Sequence, residues 1–316
     1  MKGSMEGPKK FLKQFAIATG ITAGVLLNTN TSEAQISNSN KKQEFSIDST
    51  YTKEQKDQNM PDGFRREQVF ATVNGQEQVI ASMFWFDDKK TKTCFISNDE
   101  HLDVFTPNIN YEKVDSLVEK KGVENVISFV GAYTAPSGNI EGVAIENGKQ
   151  VGEQNFSKWA GLVYITPTGI IELYRCKDAN NNFDKNMADS LVGKAEKENA
   201  SLFQQIPAIW GGKQMLNSSK QEEFEFRAIC QTKDEKKFIL NCTEKVTLDK
   251  FLKMALNLKD SSGQSLVDDL MLVDTGIYSY GIFKDKDDKT YKMIDEQYST
   301  STKNYTNIIS IGTKIF

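Results

Sequence analysis

The sequence predicts an α+β fold of hairpin-rich, mixed or antiparallel sheets with a few packed helices. Three observations carry this. Short runs of β-branched and aromatic residues recur along the chain and are joined by tight-turn pairs such as Asn74-Gly75 and Asn147-Gly148. Helical periodicity is confined to a few stretches. Those stretches are inserted between hairpins instead of alternating with single strands, which argues against a wound parallel sheet. No internal repeat is present.

The elements follow in order. Gln68 to Val73 and Gln78 to Phe86 form a hairpin through Asn74-Gly75. Cys94 to Ser97 and Leu102 to Phe105 read as further short strands. Tyr111 to Lys121 carries Val114, Leu117, Val118 and Lys121 at helical spacing, and Gly122 stops it. Val126 to Val130 reads as a buried strand. Hairpins follow at Gly142 to Val151 and Leu162 to Cys176, the second turning at Pro167-Thr168-Gly169. Asp184 to about Phe203 reads as a polar helix. Phe224 to Cys230 and Phe238 to Cys242 read as paired strands. Thr247 caps a helix from Leu248 to Leu258 with a stripe of Phe251, Leu252, Ala255 and Leu258. Leu270 to Val273 is a short strand ending at Asp274, and Asn307 to Ile311 closes the fold.

The 316 residues include 39 basic and 43 acidic side chains, a net charge of −4 with a pI near 5.4. Such a chain is a poor general polyanion binder, so nucleic acid is not an expected partner. His101 is the single histidine, which excludes multi-histidine metal sites. Residues 1–34 have the three parts of an export signal: Lys2, Lys9, Lys10 and Lys13, the apolar run Phe15 to Leu27, and Ser32-Glu33-Ala34. Thirteen helical residues reach ~20 Å, short of a ~30 Å hydrocarbon core, so no stable membrane span is expected after cleavage. Residues 35–62 read as a disordered polar tether, and residues 63–316 as the folded domain. A secreted or periplasmic location follows. Cys94, Cys176, Cys230 and Cys242 allow two disulfides, with Cys230 and Cys242 flanking a turn, and read equally as buried thiols.

The order of motifs from Tyr111 to Gly312 resembles the phosphodiester glycosidase family. That family runs from a helix into Asn-Gly-Gly-Phe-Phe, Pro-x-Gly and a Gly-containing hairpin. Gln-x-Gly-Pro, Arg-x-Ala-Ile-Gly, a Thr-Leu helix, Leu-Asp-Gly-Gly and a late Pro-Asn follow. Here the order is Val130-Gly131-Ala132-Tyr133-Thr134, Pro136-Ser137-Gly138, Gly142 to Lys149, Gln204-Gln205-Ile206-Pro207, Arg227-Ala228-Ile229-Cys230, Thr247-Leu248, Leu272-Val273-Asp274-Thr275-Gly276 and Asn307. The chain departs from the pattern at Val130, Ile206, Cys230 and Thr275.

The resemblance implies a phosphodiester-glycosidase-like fold. It also implies hydrolysis of sugar-1-phosphodiesters such as N-acetylglucosamine-1-phosphate diesters, with a carbohydrate or sugar-phosphate ligand and no required cofactor. Arg227 and Asp274 are then the catalytic candidates. Gln204, Gly131, Thr275, Gly276 and Asn307 are the substrate-binding candidates. A guanidinium suits phosphate because it donates in a bidentate fork. Strand alternation puts Arg227 with Glu225 and Ile229, so it reads equally as a surface ion pair. Asp274 at a strand end suits a rigid carboxylate, and also a turn-capping one. Gln204 suits sugar hydroxyls or the polar end of a helix. Trp159 and Trp210 suit sugar faces, or packing. The departures leave a second class open: a non-catalytic glycan-binding or envelope interaction protein, with a purely structural secreted domain as a third.

One constellation stands apart from the family. Asp178, Asn180, Asn182, Asp184, Asn186 and Asp189 have the spacing of a calcium loop, which makes calcium a candidate ligand. Phe183 at the glycine position argues against it, and the stretch also reads as an Asn-rich loop capping the next helix. Asp285-Lys-Asp287-Asp288 reads as a charged hairpin tip, and His101 as a surface residue.

Overall fold

A computed structural model describes residues 51–54, 59–73, 75–105, 109–135, 137–216, 222–259, 263–274, 280–293 and 305–315. The expected leader, 20 of the 28 residues of the expected tether, and the candidates Thr275 and Gly276 lie outside the described residues; the described part of the tether includes the strand Tyr51–Glu54.

In chain order the elements are β1 Tyr51–Glu54, β2 Phe64–Val73, β3 Gln76–Phe86, β4 Thr91–Ser97, α1 Leu102–Phe105, α2 Tyr111–Lys120 and β5 Val123–Phe129. Next come β6 Ala144–Glu146, β7 Lys149–Gln150, β8 Gly161–Ile165, β9 Ile171–Arg175, α3 Lys185–Glu198, β10 Ser201–Trp210 and β11 Lys213–Gln214. The chain then gives β12 Glu223–Phe224, β13 Arg227–Gln231, β14 Lys237–Cys242, β15 Val246–Thr247, α4 Leu248–Asn257 and β16 Asp269–Leu272. It closes with β17 Gly281–Lys284, β18 Thr290–Lys292 and β19 Asn307–Lys314.

The large sheet runs β1-β2-β3-β14-β13-β16-β10-β6-β7, with β8 and β11 also on β10 and β9 beyond β8. The small sheet runs β18-β17-β5-β19-β4. Every pairing among the described residues is antiparallel. The sheets face each other across Phe84, Phe95, Ile127, Phe129, Phe203, Ile229, Met271 and Ile309. The outer face of the large sheet is covered by α4 through Phe251, Leu252, Met254 and Ala255. The outer face of the small sheet is covered by α2 through Val114 and Val118. The architecture is thus helix, sheet, sheet, helix, with α3 on the β8 flank.

Local chemistry explains the helix bounds. The α4 helix starts where the Thr247 side chain accepts the Lys250 N–H, a contact whose loss costs about 1 kcal/mol. Its apolar stripe is the one the spacing predicts. Asn147 and Gly148 both take positive φ, 48° and 81°, as the two-residue hairpin between β6 and β7 requires.

Two expectations are corrected, and the open alternatives for the cysteines are decided. Leu102–Phe105 is a helical turn, not a strand: β4 already pairs with β19, and Val104 N–H bonds His101 O. The polar helix ends at Glu198, because Asn199 turns left-handed at φ 56° and Ser201 opens β10. Leu202 and Phe203 face two different buried layers, so the central strand shows no alternation. All four cysteines are free and buried; Cys230 lies opposite Phe238, not Cys242. Strands β17 and β18 were not expected, although the 285–288 tip between them was, with Asp285 Oδ1 accepting the N–H of Asp287 and Lys289. No helix among the described residues is long and apolar enough to cross a membrane.

Candidate functional site

Strands β13 and β16 pair with Ala228 opposite Leu272, and Val273 N–H extends the ladder to Arg227 O at 3.1 Å. Asp274 then leaves the large sheet. Its N–H bonds Gly131 O at 2.9 Å, just past the end of β5 in the small sheet. The segment 130–134 therefore forms a seam between the two sheets, and buried polar side chains converge on it.

Asn307, the first residue of β19, holds this seam. Its Oδ1 accepts the N–H of Gly131 at 3.1 Å and of Ala132 at 2.8 Å. Its Nδ2 donates to Ala132 O and to Thr306 Oγ1, both at 2.9 Å. The Thr306 and Thr134 hydroxyls are 3.0 Å apart, and Thr134 N–H donates to Asp274 Oδ2 at 3.0 Å. Gln205 Nε2 adds a bond to Gly131 O at 2.7 Å, while Gln205 Oε1 has no partner. Gly131 has no room for a side chain: a Cβ would lie 2.4 Å from Ile309 Cδ1. Gln205, Asp274, Thr306 and Asn307 are fully buried.

Arg227 approaches the seam from the space between the sheets. Its Nε donates to Asn241 Oδ1 at 2.9 Å and its Nη1 to Tyr280 O at 2.7 Å, the oxygen that also accepts Val130 N–H. The guanidinium lies 5.6 Å from the Phe129 ring centroid and against the Cα of Gly281, where a Cβ would be 2.7 Å from Nη2. That Nη2 has no hydrogen-bond partner. Burial pulls the Arg227 pKa down to about 10, opposed by the negative charge of Glu225, so it remains a cation at neutral pH. The surface ion-pair reading of Arg227 fails because both faces of β13 are buried.

A second group of ionisable residues adjoins Asp274. Tyr133, whose ring packs on Trp159 at 4.8 Å, has its phenol pushed well up by burial, then by Asp274 and Glu141. Glu141 N–H bonds Tyr133 O at 2.7 Å. Burial pushes the Glu141 carboxyl up to about 7, against the pull of Lys158 and with the push of Glu153.

The structure thus brings Asp274, Gly131 and Asn307 together, with Arg227 one peptide away. Gln204 is elsewhere. It lies on the opposite face of β10 from Gln205, where Oε1 accepts Ser157 N–H and Nε2 donates to Ser157 O and Trp159 O. Its amide latches the 157–159 loop through these three bonds. The 178–189 stretch forms an Asx turn and a helix cap. Asp178 Oδ1 accepts the N–H of Asn180 and Asn182, and Asp184 caps α3 through Met187 N–H. Among the described residues no three His, Cys, Asp or Glu side chains converge as a metal site. His101 is half-buried at the surface, and its Nε2 is 3.2 Å from Oε1 of the buried Glu146.

Sequence reasoning did not single out Gln205, Thr134, Thr306, Asn241 or Glu141. A Gln-Gln pair on a strand must point to opposite faces, which would have split Gln204 from Gln205 had β10 been recognised.

No family model matches the chain, and no curated protein sequence matches it. Its fold is that of a solved zebrafish structure, the catalytic domain of N-acetylglucosamine-1-phosphodiester alpha-N-acetylglucosaminidase auto-inhibited by its pro-peptide. The TM-score is 0.50 at 11% identity, over 84% of this chain and 88% of that one. A hypothetical protein from Synechocystis aligns at a TM-score of 0.43 and 8% identity, over 80% of this chain and 62% of that one.

Proposed function

We propose that this chain hydrolyses sugar-1-phosphodiester bonds, as the resemblance in motif order implies, and that it does so outside the cytoplasm. The observation that carries this reading is Asp274, a carboxylate held at Oδ2 by Thr134 N–H at the meeting of the two sheets. It occupies that place in a fold shared with a phosphodiester glycosidase domain. In this reading Asp274 acts as nucleophile or base at the anomeric carbon. The bond from that carbon to the phosphate oxygen breaks, the phosphate leaves with the electron pair, and water supplies the hydroxyl of the released sugar. Phosphate is a good leaving group, so the demand on a general acid is small. Arg227 is the cation for the departing phosphate and keeps one unspent donor, Nη2. The leader pattern of residues 1–34 supports a secreted or periplasmic location.

A second reading, non-catalytic glycan binding on the same fold, is favoured by one observation. Val130 and Ile206, which replace the family's polar and glycine positions, are packed into apolar clusters. The two readings separate on one assay. Purified protein is offered a panel of sugar-1-phosphodiesters, including UDP-N-acetylglucosamine, with free sugar as readout and Asp274→Asn in parallel. Turnover that is lost in a variant with an intact cooperative melt supports hydrolysis. No turnover from folded wild-type protein supports binding alone.

A further inference from the structure

We propose that the cleft where β2, β3 and the β13–β14 turn meet is a binding site for an uncharged sugar ring, separate from the Asp274 site. The cleft has a volume of about 510 Å³ and is walled by Phe64, Arg65, Trp85, Phe86, Asp88 and Lys237, with further charged residues on its rim. That volume is within the range of about 300–1,000 Å³ typical of small-molecule sites.

Strand register builds the wall. Arg65 and Phe238 are the cross-strand neighbours of Trp85. The Arg65 guanidinium carbon lies 4.9 Å from the Trp85 ring centroid, and the Phe238 ring centroid lies 4.5 Å away. Trp85 is only 9% exposed, yet its indole N–H has no hydrogen-bond partner. A buried donor left without an acceptor is a standing penalty that a ligand oxygen would relieve.

The charges of the cleft select the ligand class. Five cations face four carboxylates in its lining. Four of the five cations are already ion-paired: Arg65 with Glu67 at 2.9 Å, Lys90 with Asp62 at 2.8 Å, Lys236 with Asp234 at 2.7 Å and Lys237 with Asp88 at 3.1 Å. A charged ligand would have to compete with these pairs in a lining where charges of both signs are mixed. Hydroxyl groups, each donor and acceptor, satisfy paired charges without breaking them. The partly exposed Phe64, on the other face of the strand pair from Trp85, adds apolar surface at the cleft mouth for the C–H face of a ring. Arg227 stands at one end of β13 and this turn follows the other, on the order of 15 Å away at ~3.3 Å per residue. The cleft therefore does not share the Asp274 seam.

The test is NMR of the ¹⁵N-labelled full chain, reading the indole N–H signals of its three tryptophans. The probe is the neutral β1,4-linked trimer of N-acetylglucosamine, with a sulfated disaccharide as the anionic comparison. One indole signal is expected to shift saturably, and Trp85→Phe removes that signal. Arg65→Ala weakens binding three- to ten-fold, and Asp274→Asn leaves it unchanged. Should Trp85→Phe fail to fold, the indole signal that Arg65→Ala displaces in the free protein identifies Trp85. The proposal is overturned if no indole signal moves up to ~20 mM trimer, well past millimolar affinity. It is equally overturned if the moving signal belongs to Trp159 or Trp210, or if the anionic probe binds more tightly than the neutral one.

Discussion

Replacing Asn307 by alanine tests whether the polar seam organises the site. The side chain is fully buried and makes four contacts, three of them to the backbone of residues 131 and 132. Asn307→Ala strands the N–H groups of Gly131 and Ala132 and the carbonyl of Ala132 in the interior. Each stranded group costs ~1–3 kcal/mol. Residual rearrangement lowers the sum, because the Gly131 and Ala132 donors share one acceptor oxygen. The expected loss is about 4 kcal/mol, a large part of the ~5–15 kcal/mol that holds a domain together. The assay is urea unfolding followed by tryptophan fluorescence, comparing midpoints at unchanged slope. A loss under ~1 kcal/mol would refute the reasoning, since it would mean that those backbone groups find other partners.

Four further outcomes follow. Gly131→Ala drives a Cβ to 2.4 Å from Ile309 Cδ1 in a fully buried setting, and should destabilise by ~1–3 kcal/mol in the same assay. Arg227→Lys keeps the charge but cannot reach both Asn241 Oδ1 and Tyr280 O in a planar fork, so turnover on a sugar-1-phosphodiester should fall at least ~10-fold. Glu141 is raised from 4.5 to about 7, so the folded state binds its proton more tightly and the group takes stability away as pH rises across that window. Glu141→Gln should therefore raise the melting temperature at pH 8 and leave it unchanged at pH 4. Glu146 has the opposite sign. Burial pushes its carboxyl up, but the His101 hydrogen bond, the Lys121 charge and the Ser97 contacts outweigh this and hold it below 4.5. Its stabilisation is present above that value and is lost as pH falls through the lowered one, so Glu146→Gln should flatten the acid limb of the stability profile measured by thermal melts.

The sequence made legible whatever has one wet face or a tight turn. The α4 helix shows its stripe because its outer side is polar, and the Asn147-Gly148 hairpin shows in two residues. Strand β10 did not show, because it is buried on both faces and its Leu202-Phe203 pair mimics a helix end. Missing that strand also misplaced Gln204. Alternation grouped Arg227 with Glu225 and Ile229, but nothing local says that a second sheet covers that face. Asp274 and Asn307 were found through motif order alone. What joins them is 130–134, and its side-chain contacts to Asp274 and Asn307 span 140 residues or more of chain, a separation that no local pattern encodes.

The most direct measurement is hydrolysis of a sugar-1-phosphodiester in ¹⁸O-labelled water, with the products weighed by mass spectrometry. Cleavage at the anomeric carbon puts the label in the sugar and none in the phosphate, and Asp274→Asn should lower that turnover at least ~100-fold. Label in the phosphate, or undiminished turnover in the variant, would contradict the account.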